Sequence, residues 1–258
     1  MPFDFSTLST PDGTTPCAPL KVEIPIFAQL LAKHPTALNL IPRTFPRQET
    51  ARRIIKPGDR NHWVGLFSSR TNQALVPFES GLERKAFCVL ETHPTIRSYR
   101  SQPYCIVLRI DGRTCTVYPD VELTTDKGAA ALLEVKPATQ VAKPRNQRRF
   151  DALRSWAAHR GMQFSVLTEQ EIEGQRLTSA TWLLSLTRGQ CEQRLREATF
   201  QWLGDNTDLT FRRALELTTH YPAVHSAICE LVLDGFVAVD FDRPLESQLL
   251  SLNYDMEA

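Results

Sequence analysis

The chain has 258 residues, 42% of them hydrophobic, a formal net charge of +1 and an isoelectric point near 7.7. That length can bury one large core or two modest ones, and the near-neutral balance excludes nucleic-acid binding by bulk positive charge; any such contact must be local. The six cysteines (Cys17, Cys88, Cys105, Cys115, Cys191, Cys229) contain no C-x-x-C pair, the six histidines show no zinc-ligand spacing, and no apolar run nears the ~18 residues of a membrane span. With no recognisable secretory signal, the expectation is a reduced, cytoplasmic protein.

Residues 1–60 read as an N-terminal segment. It is flexible to about residue 20, has a short helix somewhere in 25–40, and ends in a basic stretch with Arg43, Arg47, Arg52, Arg53, Lys56 and Arg60 against Glu49 and Asp59. That stretch is either a solvated loop or a strap that touches DNA phosphates or a partner. Residues 61–175 form the next unit. Ser80 stands three positions before Glu83, the spacing of a capping box, and Leu82, Ala86, Val89 and Leu90 give one apolar stripe, so a helix is expected from Ser80 to Glu91. Asp111-Gly112 marks a hairpin between strands at 105–110 and 114–118; 121–124 and 130–135 are strands around an Asp126-Lys127-Gly128 turn. A helix from Arg145 to Arg160 ends at Gly161, a strand follows at 163–167, and Thr168 caps a short helix with Glu171 three positions on. These elements describe an α/β core with a mixed sheet flanked by helices. Residues 176–258 read as mainly helical, with helices at 188–202, 210–220 and 222–234, then two short strands at 236–241 and 248–252, the order of a winged helix.

The chemistry concentrates between Val117 and Lys136. Strand alternation places Glu134 and Lys136 on one face and Leu133 and Val135 on the other. A carboxylate and a lysine on a buried strand end are costly without partners, and a hard divalent cation such as Mg²⁺ is such a partner for Glu134. Asp120, behind Pro119 at a strand bend, supplies a further carboxylate, and the Val135 carbonyl a neutral oxygen. Lys136 can then orient or polarise the water that attacks phosphorus. The P-D…E-x-K pattern alone fits equally well a turn aspartate and a strand-end ion pair of Glu134 with Lys136. Glu83 lies on a helix upstream, on the face of Phe87 and Leu90; it is either a capping residue or an inward-facing ligand.

Further residues have readings of their own. Lys143, Arg145, Arg148 and Arg149 open the helix that follows the Lys136 strand and are candidate DNA contacts. Cys88, Cys105, Trp156, Trp182 and Trp202 read as core. From Glu230 onward Glu230, Asp234, Asp240, Asp242, Glu246, Asp255 and Glu257 face Arg243 alone, which suggests a surface that meets a protein.

The region from about Gly65 to Glu171 resembles the catalytic domain of the TnsA family, the endonuclease subunit of heteromeric bacterial cut-and-paste transposases. The resemblance rests on ordered short motifs: Gly65-Leu66-Phe67-Ser68-Ser69, Phe78-Glu79-Ser80-Gly81-Leu82-Glu83-Arg84, Pro94-Thr95-Ile96-Arg97-Ser98-Tyr99, Gln102-Pro103, Tyr118-Pro119-Asp120, Leu133-Glu134-Val135-Lys136 and Phe164-Ser165-Val166-Leu167-Thr168-Glu169. It implies a restriction-endonuclease-like PD-(D/E)XK fold with a C-terminal winged helix. It also implies Glu83 and Asp120 as metal ligands and Lys136 as the catalytic lysine, with Glu134 at a position where the family also admits Gln. Mg²⁺, which Mn²⁺ can replace, is the implied cofactor. The implied activity is cleavage of the 5′ strands at transposon ends. The implied partners are an integrase-type, TnsB-like transposase that cuts and joins the 3′ ends, and a TnsC-like AAA+ ATPase that regulates both. The implied location is the bacterial cytoplasm at the nucleoid. Gln102 falls on a family Gln-Pro with a loop-ordering or DNA-contact role. A stand-alone restriction, repair or phage-defence nuclease is the alternative.

Overall fold

The computed structural model describes residues 24–51, 63–187 and 189–253. Helix α1 (Pro25–Lys33) is the short helix expected within 25–40; it ends where His34 precedes Pro35, since a residue before proline is pushed out of the helical region. Its Phe27 is fully buried and packs on Trp202 and Tyr221, with ring centroids 5.7 and 5.6 Å away, so α1 belongs to the C-terminal core. Strands β1 (Gly65–Ser69) and β2 (Ala74–Phe78) form a hairpin, followed by α2 (Gly81–Glu91), which begins one residue after its Ser80 cap. Strand β3 (Ile96–Ser101) then leads to a second hairpin, β4 (Ile106–Ile110) and β5 (Arg113–Val117). Asp111 and Gly112 both take positive φ (51° and 76°), as a two-residue turn of the right twist requires.

The central sheet has strand order β3, β6 (Val121–Thr125), β7 (Ala130–Val135), β8 (Gln163–Leu167), antiparallel except for the parallel β7–β8 pair. Helices α3 (Ala138–Val141) and α4 (Pro144–Ala158) lie between those last two strands in sequence. The pleat of β7 divides the core: Leu133 and Val135 join Phe87 and Leu90 of α2 on one face, while Leu132 joins Leu153 and Ala157 of α4 on the other. The result is the mixed sheet between helices of a restriction-endonuclease-like fold. Strands β1, β2 and β3 were not legible as strands; β3 carries Arg97, Ser98, Arg100 and Ser101, and only Ile96 and Tyr99 announce burial.

After α5 (Glu169–Ile172), capped by Thr168 in a capping box, come α6 (Gln175–Leu186), α7 (Gln193–Gly204), α8 (Phe211–Leu217) and α9 (Pro222–Leu233). The expected closing strands shrink to β9 (Val237–Ala238) and β10 (Ser251–Leu252), because the Gln248 side chain ties up the backbone of Asp240, Arg243 and Pro244 in between. Residues 223, 224 and 226–232 of α9 are buried, so this helix presents no recognition face to a groove. Four acids of the C-terminal stretch pair with arginines, while among the described residues the exposed Asp240 does not. Arg43 and Arg196 hold Glu230, Arg70 and Arg196 hold Asp234, Arg176 holds Asp242, and Arg212 holds Glu246. Arginines from earlier in the chain thus offset part of the local imbalance; Asp255 and Glu257 lie outside the described residues. No helix among the described residues is long and apolar enough to cross a membrane.

Candidate active site

Helix α2 begins where the Ser80 side chain accepts the Glu83 amide at 3.1 Å. The Glu83 carboxylate returns the bond, accepting the Ser80 hydroxyl at 3.0 Å and the Glu79 amide at 2.9 Å. Glu83 is therefore a capping residue and also buried, and burial together with the charge of Asp120 pushes its pKa up to about 7, against the pull of those hydrogen bonds and of Lys136.

Asp120 enters β6 from the Pro119 bend. Its Oδ2 accepts the Val135 amide at 2.8 Å and the Lys136 ammonium at 3.0 Å, which ties the start of β6 to the end of β7. The Lys136 ammonium also donates to the Val135 carbonyl at 3.3 Å, and its backbone amide extends the β7–β8 ladder to the Leu167 carbonyl. Glu134 has no solvent exposure. Its Oε1 accepts from Arg149 at 3.0 Å, while Oε2 lies 3.6 Å from the Lys136 ammonium and has no hydrogen-bond partner. Burial and then Asp120 raise the Glu134 pKa to about 7; Lys136 and Arg149 pull it back only in part. Burial works to lower the Lys136 pKa, but Asp120 and Glu134 outweigh it and hold the ammonium above its ordinary value.

The donor set fits a hard divalent cation. The orphaned, fully buried Glu134 Oε2 and two carboxyls pushed up by burial and by Asp120 would be relieved by positive charge, and all available donors are oxygens. Among the described residues no three His, Cys, Asp or Glu side chains stand close enough together to hold a metal ion as they are placed; the Lys136 ammonium itself stands near Asp120 and Glu134.

The other candidates separate by orientation. Gln102 is buried with φ 43°; its backbone amide donates to the Asp120 carbonyl at 2.9 Å and its carbonyl accepts the Ala51 amide at 2.9 Å. That backbone orders the Asp120 loop, and the side chain is buried. Arg149 is turned inward, donating to Glu134 and to the Tyr118 carbonyl at 3.1 Å. Arg148 pairs with Asp111 on the β4–β5 turn, and Lys143 and Arg145 are exposed at the start of α4. Of the basic strap, Arg43 is spent on Glu230, while Arg52, Arg53, Lys56 and Arg60 lie outside the described residues. Cys88 is buried as expected, but Cys105 is exposed because it precedes the β4–β5 hairpin.

Residues 93–169 match the family model described as TnsA-like endonuclease, N terminal. Over these residues the chain is similar to the N-terminal domain of TnsA-like endonucleases. The match runs from the end of α2 through β8 and covers Asp120, Glu134 and Lys136, with Glu83 just before it. It supports a DNA endonuclease that works in transposition. No curated protein matches the chain.

Proposed function

We propose that this TnsA-like endonuclease hydrolyses the 5′ strands at transposon ends, with Mg²⁺ held by Glu83, Asp120, Glu134 and the Val135 carbonyl. The observation that carries the proposal is the junction of Asp120, Glu134 and Lys136 at one end of β6 and β7, inside the matched region. The cation would supply neutralisation of the charge that builds on the scissile phosphate. Lys136, charged and only partly covered, orients water and offsets negative charge on the phosphate from the solvent side. Glu134 is wholly covered and acts from beneath. Lys143 and Arg145, at the N-terminus of α4, add positive charge where a phosphate backbone would run.

The near-neutral chain and the buried α9 leave little apparatus for reading sequence, so end recognition falls to an integrase-type, TnsB-like transposase and control to a TnsC-like AAA+ ATPase. The test is reconstitution with the transposase. Asp120→Ala and Lys136→Ala are expected to abolish Mg²⁺-dependent 5′-strand cleavage while 3′ joining persists, giving cointegrates. Full excision by Asp120→Ala would overturn the site assignment, and robust site-specific cutting by the protein alone would point to a stand-alone nuclease.

A further inference from the structure

We infer that Arg149 is a positioning residue of the nuclease site, acting through Glu134 and the Pro119-Asp120 bend and not through DNA; this rests on the nuclease reading above. Phe150, Leu153 and Ala157 pin α4 against the sheet, and this brings Arg149 over the end of β7. One nitrogen, Nη2, then donates to two segments at once: Glu134 Oε1 at 3.0 Å and the Tyr118 carbonyl at 3.1 Å. Tyr118 lies two residues before Asp120, so a single guanidinium staples the strand that carries Glu134 to the bend that carries Asp120. The staple also selects which oxygen of Glu134 is used up. Oε1 is engaged on the α4 side, and Oε2 is left without a hydrogen bond on the Lys136 side. A buried carboxylate stripped of this partner keeps only an ammonium at 3.6 Å and is free to rotate.

A DNA contact would require the Arg149 head to face solvent. Its side chain is 30% exposed and its Nε is buried, whereas Lys143 and Arg145 on the same helix are open. Partners of this kind behind a ligating carboxylate typically change metal affinity or activity by ~10- to 100-fold.

The experiment compares Arg149→Met, Arg149→Lys, Glu134→Gln and the Arg149→Met/Glu134→Gln double variant, with Arg154→Ala as the control on α4. Strand cleavage with the transposase is measured alongside Mn²⁺ binding by calorimetry on the protein alone. Arg149→Met is expected to lower kcat by ~10- to 100-fold with KM for DNA unchanged, and to weaken Mn²⁺ binding by a similar factor. Arg149→Lys, which keeps the charge but not the bridge, falls between. The double variant is expected to be no worse than Glu134→Gln, because the two side chains act as one unit. A raised KM with unchanged kcat would make Arg149 a DNA contact, and additive losses would break its link to Glu134. If Arg149→Met does not fold, a fully active Arg149→Lys overturns the inference. Wild-type protein that shows no metal-dependent cleavage overturns the nuclease reading itself; wild-type cleavage left intact by Arg149→Met overturns only the role of Arg149.

Discussion

Removing the Glu134 charge should make the metal-free protein more stable at alkaline pH. Glu134 has no exposure, and its pKa is raised from 4.5 to about 7 by burial and by Asp120. A carboxyl whose folded pKa exceeds its unfolded value stabilises the fold relative to an always-charged group fully below about 4.5, and that stability is lost as pH rises through about 7. The whole difference is about 3 kcal/mol, of which about 2 kcal/mol falls between about pH 5.5 and 8.5. For a chain of this size that corresponds to a fall in Tm of roughly 4–8 °C. Glu134→Gln, which has no charge to bury, should lose less over the same interval. The assay is thermal unfolding in EDTA at both pH values for wild type and variant. Added Mg²⁺ at the higher pH should restore wild-type Tm and not that of Glu134→Gln, because a cation supplies what the crowded carboxylates lack. Identical pH slopes for the two proteins would refute the reasoning, since they would mean that Glu134 is ionised at no cost in the folded chain.

Two further outcomes follow from the same structure. Glu91→Ala removes a buried carboxylate that accepts from the Ser69 hydroxyl, the Arg70 and Thr71 amides and the Tyr99 hydroxyl; a loss of roughly 3–5 kcal/mol in urea unfolding is expected, since several buried donors go unpaired together. Lys143→Ala with Arg145→Ala should lower the slope of log K against log salt for DNA binding by about 1 for each phosphate these side chains touch, with kcat at saturating DNA unchanged; an unaltered slope would remove α4 from the DNA path.

The central chemistry was readable along the chain because it is set by short-range rules. Alternation on β7 is enough to put Glu134 and Lys136 on one face, and a serine three residues before Glu83 is enough to mark the start of α2. The turns at Asp111-Gly112, Gly128 and Gly161 were readable for the same reason, since each takes a positive φ that glycine tolerates and that Asp111 tolerates beside it. Strand β3 was hidden, because a polar strand becomes a strand only when a neighbour supplies its ladder; β3 gets that from β6.

Local pattern therefore determined the acids, the lysine, the α/β order and the absence of bulk positive charge. Tertiary structure decided which charges are already spent. Arg43, Arg70 and Arg196 close on Glu230 and Asp234 from positions far away in sequence, so these two acids and one arginine of the basic strap cancel inside the molecule. The same holds for Arg149, which differs from Arg145 in no way that composition reveals. One turn of α4 further on, packing of Phe150 and Leu153 aims it at Glu134, and the direction of a long side chain depends on what its helix is pressed against.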